Sequence, residues 1–520
     1  MSSDPHPPDP KEIQEEFSRL VREKYGNAVQ VRFMPHLQQR PAGEETQTDS
    51  EPDEGPVDLR FSMKPADIKQ YLDRFVIGQE DAKKVLATAV CDHYNHIRRC
   101  RGGRECRTYQ KQNVIMIGST GIGKTYLVRS IADLIGVPFV RADATKFSET
   151  GYVGGDVEDL VRELVHRARG GVRLAEYGII YLDEVDKIAT PANVIGRDVS
   201  GRGVQMGLLK LMEDTEVPVR AANDITSQLQ AMLEFQAKGK SERKTINTRH
   251  ILFIVSGAFT GLKEIVRRRV ARRAIGFGPA GGYQRDEDFA LLRQAKSADF
   301  VEFGFEPEFI GRLPVVVACH DLTDEHLFAI LTRSEGSLLH QIRESFQAYD
   351  IEVVFNEEAL RRVAQLAHRE GTGARGLGSV LERTLREFKF TLPGSGVRRF
   401  AVSERTVDDP LGEAAAVLEG GERNERAVLR ELLRQYERDF KARHGLTIRF
   451  APEAADAVVE KALALGAEPA EVAGALLQGY EHGLLLIQSN TGQAEFEITR
   501  EVLDRPGEML NRWIQEACSH

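Results

Sequence analysis

One eight-residue segment of the chain combines glycines, a lysine and a threonine at fixed spacing. It reads Gly118-Ser119-Thr120-Gly121-Ile122-Gly123-Lys124-Thr125 and is followed by Tyr126. Glycines let backbone N–H groups turn toward phosphate oxygens, a lysine reaches the β- and γ-phosphates, and a threonine hydroxyl can hold Mg²⁺. An apolar run, NVIMI, precedes the segment, and a helical pattern, YLVRSIADLIG, follows it. The segment therefore predicts binding of ATP with Mg²⁺.

A pair of acidic residues stands at the end of a second apolar run. Residues 178–182, GIIYL, lead directly into Asp183 and Glu184. We expect Asp183 to bind Mg²⁺ together with Thr125, and Glu184 to polarise the attacking water. Acidic pairs commonly end strands, so the pair alone says little. Together with the phosphate-binding segment it predicts hydrolysis of the nucleotide.

Short apolar runs and helical stretches alternate around these motifs. The runs are Val114–Ile117, Phe139–Val140, Ile179–Leu182 and Ile251–Val255. This alternation is typical of an α/β fold in which helices flank a parallel sheet. After Pro314 the pattern becomes mainly helical. A parallel sheet would bring both motifs to its carboxyl edge.

The composition limits the class of protein. The 520 residues are 41% hydrophobic and 29% charged, with a net charge of −9, which is typical of a soluble chain of three or four domains. No apolar run is long enough to span a bilayer, so we expect no membrane segment. Five cysteines without a C-x-x-C pair favour reduced thiols in the cytoplasm. The mild acidity gives no general reason to expect nucleic acid as a partner.

The two ends of the chain lie outside this pattern. Residues 1–37 predict a small helix and strand element, and residues 38–60 an acidic linker. Near the C-terminus, the stretch from Ile351 can be aligned with the stretch from Thr447, which matches Phe355 with Phe450, Gly371 with Gly466 and Leu381 with Leu476. We interpret the second stretch as a degenerate copy of one small domain. The alternative is two unrelated helical segments with similar apolar spacing.

Seven blocks of sequence follow one another in the order found in a known family. They are VIGQEDAKKVLATAV, VPFVRADATKFSETGYVGGDVEDLV, GIIYLDEVDKIA, RDVSGRGVQMGLLKLME, HILFIVSGAFTGL, FGFEPEFIGRLPVV and GTGARGL. Over residues 60–410 the chain resembles the AAA+ unfoldases ClpX and HslU, and ClpX more closely. The resemblance implies a large AAA+ P-loop ATPase domain at 61–317, a small helical domain at 318–412, and an extra domain like the small one at 413–520.

The resemblance also implies an activity. ClpX-like proteins form homo-hexameric rings that use ATP to unfold protein substrates, pull them through a central pore and feed a ClpP-like peptidase. No Ser/His/Asp or Cys/His arrangement stands out in the sequence, so we expect no intrinsic peptidase.

Five further residues acquire roles from the resemblance. Val76 and Ile77 match the position that packs the adenine, and Ser256 matches sensor 1. Arg312 matches the finger that reaches a neighbour's γ-phosphate, and Arg375 matches the sensor-2 arginine. The alternative for either arginine is a surface ion pair.

Three loops match substrate and partner loops of the family. Tyr152 and Val153, within Gly151-Tyr152-Val153-Gly154, match the pore loop, and residues 197–202 match the second pore loop. Ile275-Gly276-Phe277 matches the tripeptide that docks ClpX onto its peptidase. The alternative for Tyr152 is a side chain packed against the core.

The chain departs from the family in four places. Residues 1–59 contain no cysteine, so the zinc domain of ClpX has no counterpart there. The stretch 216–247 diverges from the pore-entrance loop, and Arg202 replaces a usual glutamate. Ala470 stands in the second small-domain-like stretch where the first has Arg375, so we do not expect that stretch to sense nucleotide.

Other interpretations remain open at this stage. A metal site at Cys91, His93, His96 and Cys100 is disfavoured, because helical His and Cys side chains are more often packed or solvated. A nucleic-acid motor would use a basic run, namely Arg267, Arg268, Arg269, Arg272 and Arg273, although a solvated face fits that run better. A third possibility is a non-proteolytic remodelling or assembly factor with a dedicated partner.

Overall fold

The computed structural model describes residues 61–101, 110–147, 155–190, 199–219, 244–273 and 285–518. Two predicted elements therefore lie outside the described residues, namely the N-terminal element at 1–37 and the linker at 38–60.

A five-stranded parallel sheet forms the centre of the N-terminal part. Its strands are β1 (Val114–Ile117), β2 (Phe139–Asp143), β3 (Ile179–Asp183), β6 (Leu252–Gly257) and β7 (Val315–Ala318). Their order across the sheet is β2-β3-β6-β1-β7, and every neighbouring pair is parallel. The expected α/β fold with a parallel sheet is confirmed.

Alternate residues of the strands enter two separate core layers. In β1, Val114 and Met116 face one layer while Ile115 and Ile117 face the other. In β3, Tyr181 enters the first layer and Leu182 the second. Because both faces are covered, the strands are continuously apolar, which is why they were visible in the sequence as short unbroken runs.

Helices and one antiparallel strand pair complete this part. The helices are α1 (Pro65–Phe75), α2 (Glu80–Arg101), α3 (Lys124–Ile135), α4 (Asp159–Arg167), α5 (Val172–Ala175), α6 (Val199–Met212), α7 (Leu262–Arg273), α8 (Arg285–Leu292), α9 (Ser297–Phe303) and α10 (Pro307–Gly311). The strand pair is β4 (Glu216–Pro218) with β5 (Thr245–Asn247).

Two helices lead from the sheet into a first small unit. They are α11 (Asp324–Arg333) and α12 (Leu338–Gln347). The first small unit comprises β8 (Glu352–Phe355), α13 (Glu357–Glu370), α14 (Ala374–Thr391), β9 (Arg399–Val402), α15 (Glu404–Asp408) and α16 (Pro410–Glu419). Strands β8 and β9 pair in parallel.

A long helix connects this unit to a second small unit. Helix α17 (Gly421–His444) packs against both. The second small unit comprises β10 (Thr447–Phe450), α18 (Pro452–Leu465), α19 (Pro469–Leu476), α20 (Tyr480–Thr491), β11 (Glu495–Ile498), α21 (Arg500–Asp504) and α22 (Pro506–Cys518). Strands β10 and β11 also pair in parallel.

The two small units share one order of elements. In each, a strand, a helix, a left-handed glycine and further helix lead to a second parallel strand, a short helix and a helix that begins at proline. The glycines are Gly371, with φ of 66°, and Gly466, with φ of 60°. One difference is a break at Gly479 between α19 and α20, where the first unit has the continuous helix α14. The proposed duplication and the domain boundaries stay predictions.

No helix among the described residues has the length and apolar character that crossing a membrane requires.

Candidate active site

The phosphate-binding segment forms a loop between β1 and α3. Gly121 and Gly123 have φ of 81° and 95°, a region that favours glycine. Helix α3 begins at Lys124, so its positive end faces the loop. The Lys124 ammonium donates to the carbonyl oxygens of Gly118, at 2.5 Å, and Ser119, at 2.7 Å. Burial lowers the pKa of this lysine.

Asp183 stands at the carboxyl end of β3, beside the loop. Its carboxylate accepts from the hydroxyls of Ser256, at 2.7 Å, and Thr125, at 3.4 Å. Arg141 on β2 donates to the same carboxylate at 3.2 Å. A hydroxyl and a carboxylate oxygen this close are the hard oxygen ligands that Mg²⁺ prefers. Thr125 and Asp183 therefore fit a magnesium ion.

Glu184 follows Asp183 in an unusual backbone conformation. Its φ of 57° is left-handed, a conformation that costs a non-glycine residue about 1–2 kcal/mol. The side chain is exposed, and its amide donates to the Asp183 carboxylate at 3.2 Å. Strained residues persist where the surrounding structure fixes them, and they cluster at active sites.

The first small unit contacts the phosphate-binding loop directly. The amide of Ala374 donates to the carbonyl oxygen of Gly121 at 2.8 Å. A Cβ on Gly121 would lie 2.1 Å from the carbonyl oxygen of Thr372, so only glycine fits there. Arg375, the next residue, enters the same cavity as the loop.

A cavity of about 440 Å³ collects these groups. Its lining includes residues of the loop, the carboxylates after β3 and the start of α14, namely Thr120, Gly121, Gly123, Lys124, Thr125, Tyr126, Asp183, Glu184 and Arg375. Cations, carboxylates and turned backbone amides around one cavity are the groups that phosphoryl transfer requires.

Comparison with known proteins places this arrangement in a family. A protein from Methylococcus capsulatus, "ATP-dependent Clp protease ATP-binding subunit ClpX 3", is 42% identical over 358 residues, which cover 66% of this chain and 80% of the relative. The chain belongs to the ClpX family. Two further ClpX proteins named "ATP-dependent Clp protease ATP-binding subunit ClpX" match. The one from Borrelia duttonii is 42% identical, and the match covers 64% of this chain and 75% of the relative. The one from Treponema denticola is 39% identical, and the match covers 68% of this chain and 83% of the relative.

Two family models match successive parts of this ClpX-family chain. The model of an AAA domain (Cdc48 subfamily) matches residues 109–316, and the model of the C-terminal, D2-small domain of ClpB protein matches residues 322–388. The chain is an AAA+ ATPase that binds nucleotide. The suspected resemblance to ClpX is confirmed.

Some predicted site residues of the ClpX-family chain lie outside this cavity. Val76 and Ile77 follow α1 and do not line it, and Val76 is buried. Ser256 is fully buried, and its hydroxyl is engaged by Asp183 and by the Tyr181 hydroxyl, 2.6 Å away. Arg312 lies at a separate cavity, where it pairs with Glu213 at 2.5 Å.

Several predicted loops fall outside the described residues. They include Tyr152 and Val153 of the pore loop, and Ile275, Gly276 and Phe277 of the docking tripeptide. The second pore loop is described only from residue 199 onward, and Arg202 in it pairs with Glu306.

The structure also shows site residues that sequence reasoning missed. Arg141 reaches Asp183 from the neighbouring strand, where the parallel register pairs Asp143 with Asp183. Asp186 is buried, and its carboxylate accepts from the amides of Ala258 and Phe259, both at 3.3 Å. An acidic residue three positions after Asp183 was the available signal for Asp186, whereas Arg141 had none.

The basic run on α7 is occupied by ion pairs within the chain. Arg267 pairs with Asp288 at 3.0 Å, Arg268 with Glu302 at 3.0 Å and Arg269 with Asp299 at 2.7 Å. The side chains of Arg272 and Arg273 lie outside the described residues. The described part of the run gives the nucleic-acid hypothesis no support.

The cysteines and histidines of α2 have separate surroundings. His96 contacts Cys100 at 3.2 Å, His93 contacts the carbonyl of His250 at 2.9 Å, and the Cys91 thiol contacts the carbonyl of Met63 at 3.6 Å. Within the described ranges, no group of three or more metal-ligating side chains comes together.

Proposed function

We propose that the chain is an ATP-dependent protein unfoldase that pulls polypeptides through the pore of a homo-hexameric ring and delivers them to a ClpP-like peptidase. The observation that carries this proposal is the convergence of Lys124, Asp183, Glu184 and Arg375 on one cavity. Its relatives are named as ATP-binding subunits of an ATP-dependent protease, which supports the same function. The chain supplies hydrolysis and a separate partner supplies peptide cleavage.

Each group around the cavity has a role that its chemistry supports. Lys124 would exchange its loop carbonyls for the β- and γ-phosphates of ATP, and Thr125 with Asp183 would hold Mg²⁺. Glu184 would orient the attacking water, since its exposed carboxylate stands beside Asp183. Arg375 would neutralise charge on the phosphates in the transition state.

The remaining roles follow from the family. Val76 and Ile77 would pack the adenine, and Ser256 would position Asp183 and the hydrolytic water. Arg312 would act on the nucleotide of the neighbouring copy, which requires a closed ring. Tyr152 and Val153 would grip the polypeptide, and Ile275 to Phe277 would dock the peptidase.

The decisive experiment is the Glu184→Gln variant. We expect it to bind ATP with nearly the affinity of the parent chain, because the amide keeps the shape of the carboxylate. Hydrolysis and unfolding should fall on the order of 100-fold or more because the base is lost. Fluorescent-nucleotide binding, phosphate release and loss of a tagged fluorescent reporter measure the three steps. Undiminished hydrolysis would remove Glu184 from this role.

A second experiment tests the peptidase partner and the rival functions. We expect ATP-dependent degradation of the reporter with a ClpP-like peptidase, and unfolding alone without it. Alanines at Ile275, Gly276 and Phe277 should abolish degradation and preserve unfolding. An ATPase rate that rises with DNA and not with unfolded protein would instead indicate a nucleic-acid motor. Unfolding that no peptidase converts into degradation would indicate a non-proteolytic remodeller.

A further inference from the structure

A second cavity lies on the N-terminal part of the molecule and shares no lining residue with the first. It has a volume of about 390 Å³. Its lining is polar and includes three cations, two carboxylates and two imidazoles, namely Lys111, Arg249, Arg312, Glu213, Asp214, His96 and His250. A cavity of this size is large enough for a phosphate group.

Two of the three cations have carboxylate partners. Arg312 pairs with Glu213 at 2.5 Å, and Arg249 with Asp214 at 3.7 Å. The side chains of Arg312 and Glu213 are both about half exposed. Replacing Glu213 by another anion at Arg312 therefore costs little free energy, since exposed ion pairs contribute only about 0–1 kcal/mol.

Within the part of the chain that the structure describes, Lys111 forms no ion pair of this kind. Its ammonium donates to the carbonyl oxygen of Thr248 at 2.9 Å and lies 5.3 Å from the centre of the Phe253 ring. Among the residues that the structure describes, no carboxylate oxygen lies within 4 Å of it. Burial lowers the pKa of Lys111 to about 7. Desolvation disfavours the charged form of Lys111, the Asp214 carboxylate only partly offsets this, and an incoming anion would favour the charged form further.

The positions of Lys111 and Arg312 are fixed relative to each other. Asn113, two residues after Lys111, donates from its side-chain amide to the backbone carbonyl of Arg312 at 3.0 Å. Its side-chain oxygen accepts from the amide of Phe253 at 3.1 Å. One buried amide thus links the start of β1, the residue Arg312 and strand β6.

We infer that Lys111 is a second phosphate-binding cation that acts together with Arg312 on the γ-phosphate of the nucleoside triphosphate bound to the neighbouring copy of this chain. The inference rests on the proposed function, because it requires the ring in which Arg312 faces a neighbour's site. The terminal phosphate has three acceptor oxygens, enough for a guanidinium and an ammonium together. Its entry would displace Glu213 from Arg312 and bring an anion into direct contact with Lys111.

The alternative is a purely structural lysine that holds the Thr248 carbonyl. Mixed rings separate the two roles. A Lys111→Met copy keeps its own cavity intact but presents a defective face to its neighbour, whereas a Glu184→Gln copy is defective only at its own site. In a mixed ring, a site that combines the intact Glu184 of a Lys111→Met copy with the intact Lys111 of a neighbouring Glu184→Gln copy is complete. Such sites should therefore hydrolyse ATP.

The experiment measures phosphate release by full-length chains. We expect Lys111→Met alone to lose on the order of 10- to 100-fold in rate, as when one preorganised donor is removed from an active site. Mixed in equal amounts with Glu184→Gln and ATP, it should regain a rate several-fold above the sum of the two separate preparations. Lys111→Arg, which keeps the cation, should retain most of the rate.

Two controls make each outcome decisive. Arg312→Ala mixed with Glu184→Gln tests the ring itself. If that mixture recovers and the Lys111 mixture does not, the inference is overturned and the proposed function stands. If neither recovers, both are overturned. Lys83→Met removes another buried lysine, one that pairs with Asp73 at 2.7 Å outside the cavity, and its loss should not be repaired by mixing.

A folding defect does not leave the inference untested. If Lys111→Met fails to fold, Lys111→Gln, which keeps a side-chain donor without the charge, replaces it in the same mixtures. A Lys111→Met or Lys111→Gln variant that keeps the full rate alone would overturn the inference.

Discussion

The two small units have the same order of elements, but the turn after the left-handed glycine makes different contacts in each. We call this turn the corner of the unit; it comprises residues 372–375 in the first unit and 467–470 in the second. In the first unit, residues 372–375 contact the phosphate-binding loop, through the Ala374 amide and the Gly121 carbonyl at 2.8 Å. In the second unit, the aligned residues are 467–470, and one of them contacts the first unit. There Glu468, the counterpart of Gly373, pairs with Arg399 at 2.9 Å.

If the two units are copies, the second has kept a contact with an earlier part of the chain and lost the arginine. Each corner contacts an earlier part of the chain: the first contacts the phosphate-binding loop and the second contacts Arg399 of the first unit. Only the first carries an arginine toward a nucleotide cavity, since Ala470 replaces Arg375 in the second. Arg399 joins the units, because it also pairs with Glu425 of α17 at 3.0 Å. We therefore expect the second unit to contribute no cation to the nucleotide cavity of its own chain.

The largest expected effect comes from moving the arginine between the two corners. Arg375→Ala should lower the ATPase rate on the order of 100-fold, because a cation is lost from the cavity. Ala470→Arg, at an exposed position, should leave the rate unchanged. Steady-state phosphate release at saturating ATP measures both. A fall in the second variant as large as in the first would contradict the comparison.

Acid should lower the stability of the ATPase domain and raise the stability of the region around α17. Burial lowers the pKa of His93 in the ATPase domain from 6.5 to about 3, so the folded state resists protonation. That contribution to stability is present above about pH 6.5 and is lost as the pH falls, by about 2 kcal/mol at about pH 5. Burial raises the pKa of Glu431 and Glu437 on α17, so acid stabilises their surroundings.

The sole tryptophan makes this difference measurable. Trp513 packs near Tyr480 and Phe496 in the second unit, so its fluorescence reports on that unit alone. In urea titrations, acidification should shift the loss of nucleotide binding to lower urea and leave the Trp513 transition unshifted or at higher urea. His93→Gln should reduce the first shift and leave the part that comes from His250, since desolvation also lowers the pKa of His250, to about 4. Transitions that move together in acid would disprove the separation.

A smaller effect, on nucleotide affinity, is expected from adding one methyl group at Gly373 in the first corner. In Gly373→Ala the Cβ would lie 2.6 Å from the Gly121 carbonyl oxygen, which should push the small unit from the loop and weaken nucleotide binding about tenfold. Gly371→Ala is the matched control. Its φ is also left-handed, 66° against 63°, but no atom lies within 4 Å of the added Cβ. Equal nucleotide affinities for the two variants would show that backbone strain alone matters.

The smallest effect concerns the second corner. Arg399→Ala removes both ion pairs of a partly buried guanidinium, which should destabilise the attachment of the second unit by about 1–2 kcal/mol. The Trp513 transition should move to lower urea while the ATPase rate is retained. Arg398→Ala, at the exposed neighbouring position, is the control and should leave the transition in place. A shift as large for Arg398→Ala would show that Arg399 is not specific.

Sequence reasoning identified the groups whose chemistry is encoded locally. The loop at 118–125 and the carboxylates after β3 were readable because strand ends and glycine spacing fix their geometry. Arg375 came from family resemblance, and it does line the cavity. In contrast, Arg141 and Lys111 were not found. Their roles depend on which strand lies beside which and on how deeply a side chain is buried, and neither is written in a local pattern.

The elements of the fold were likewise predictable where a local pattern marks them and were missed where packing decides. Strands buried on both faces produced unbroken apolar runs, so all four runs before Pro314 proved to be strands of the sheet. The short strand β7 immediately after Pro314 had no such prediction, and the break at Gly479 in the second unit was also missed. A glycine inside a helical pattern has no fixed outcome, because packing decides whether the helix continues through it.

The single amide-to-carbonyl contact between Ala374 and Gly121 has a mechanical consequence. A phosphate that shifts the loop by a fraction of an ångström would tilt the first unit about this point. Because α17 and Arg399 attach the second unit to the first, the second unit would move together with that tilt. The displacement of each residue would grow with its distance from this contact.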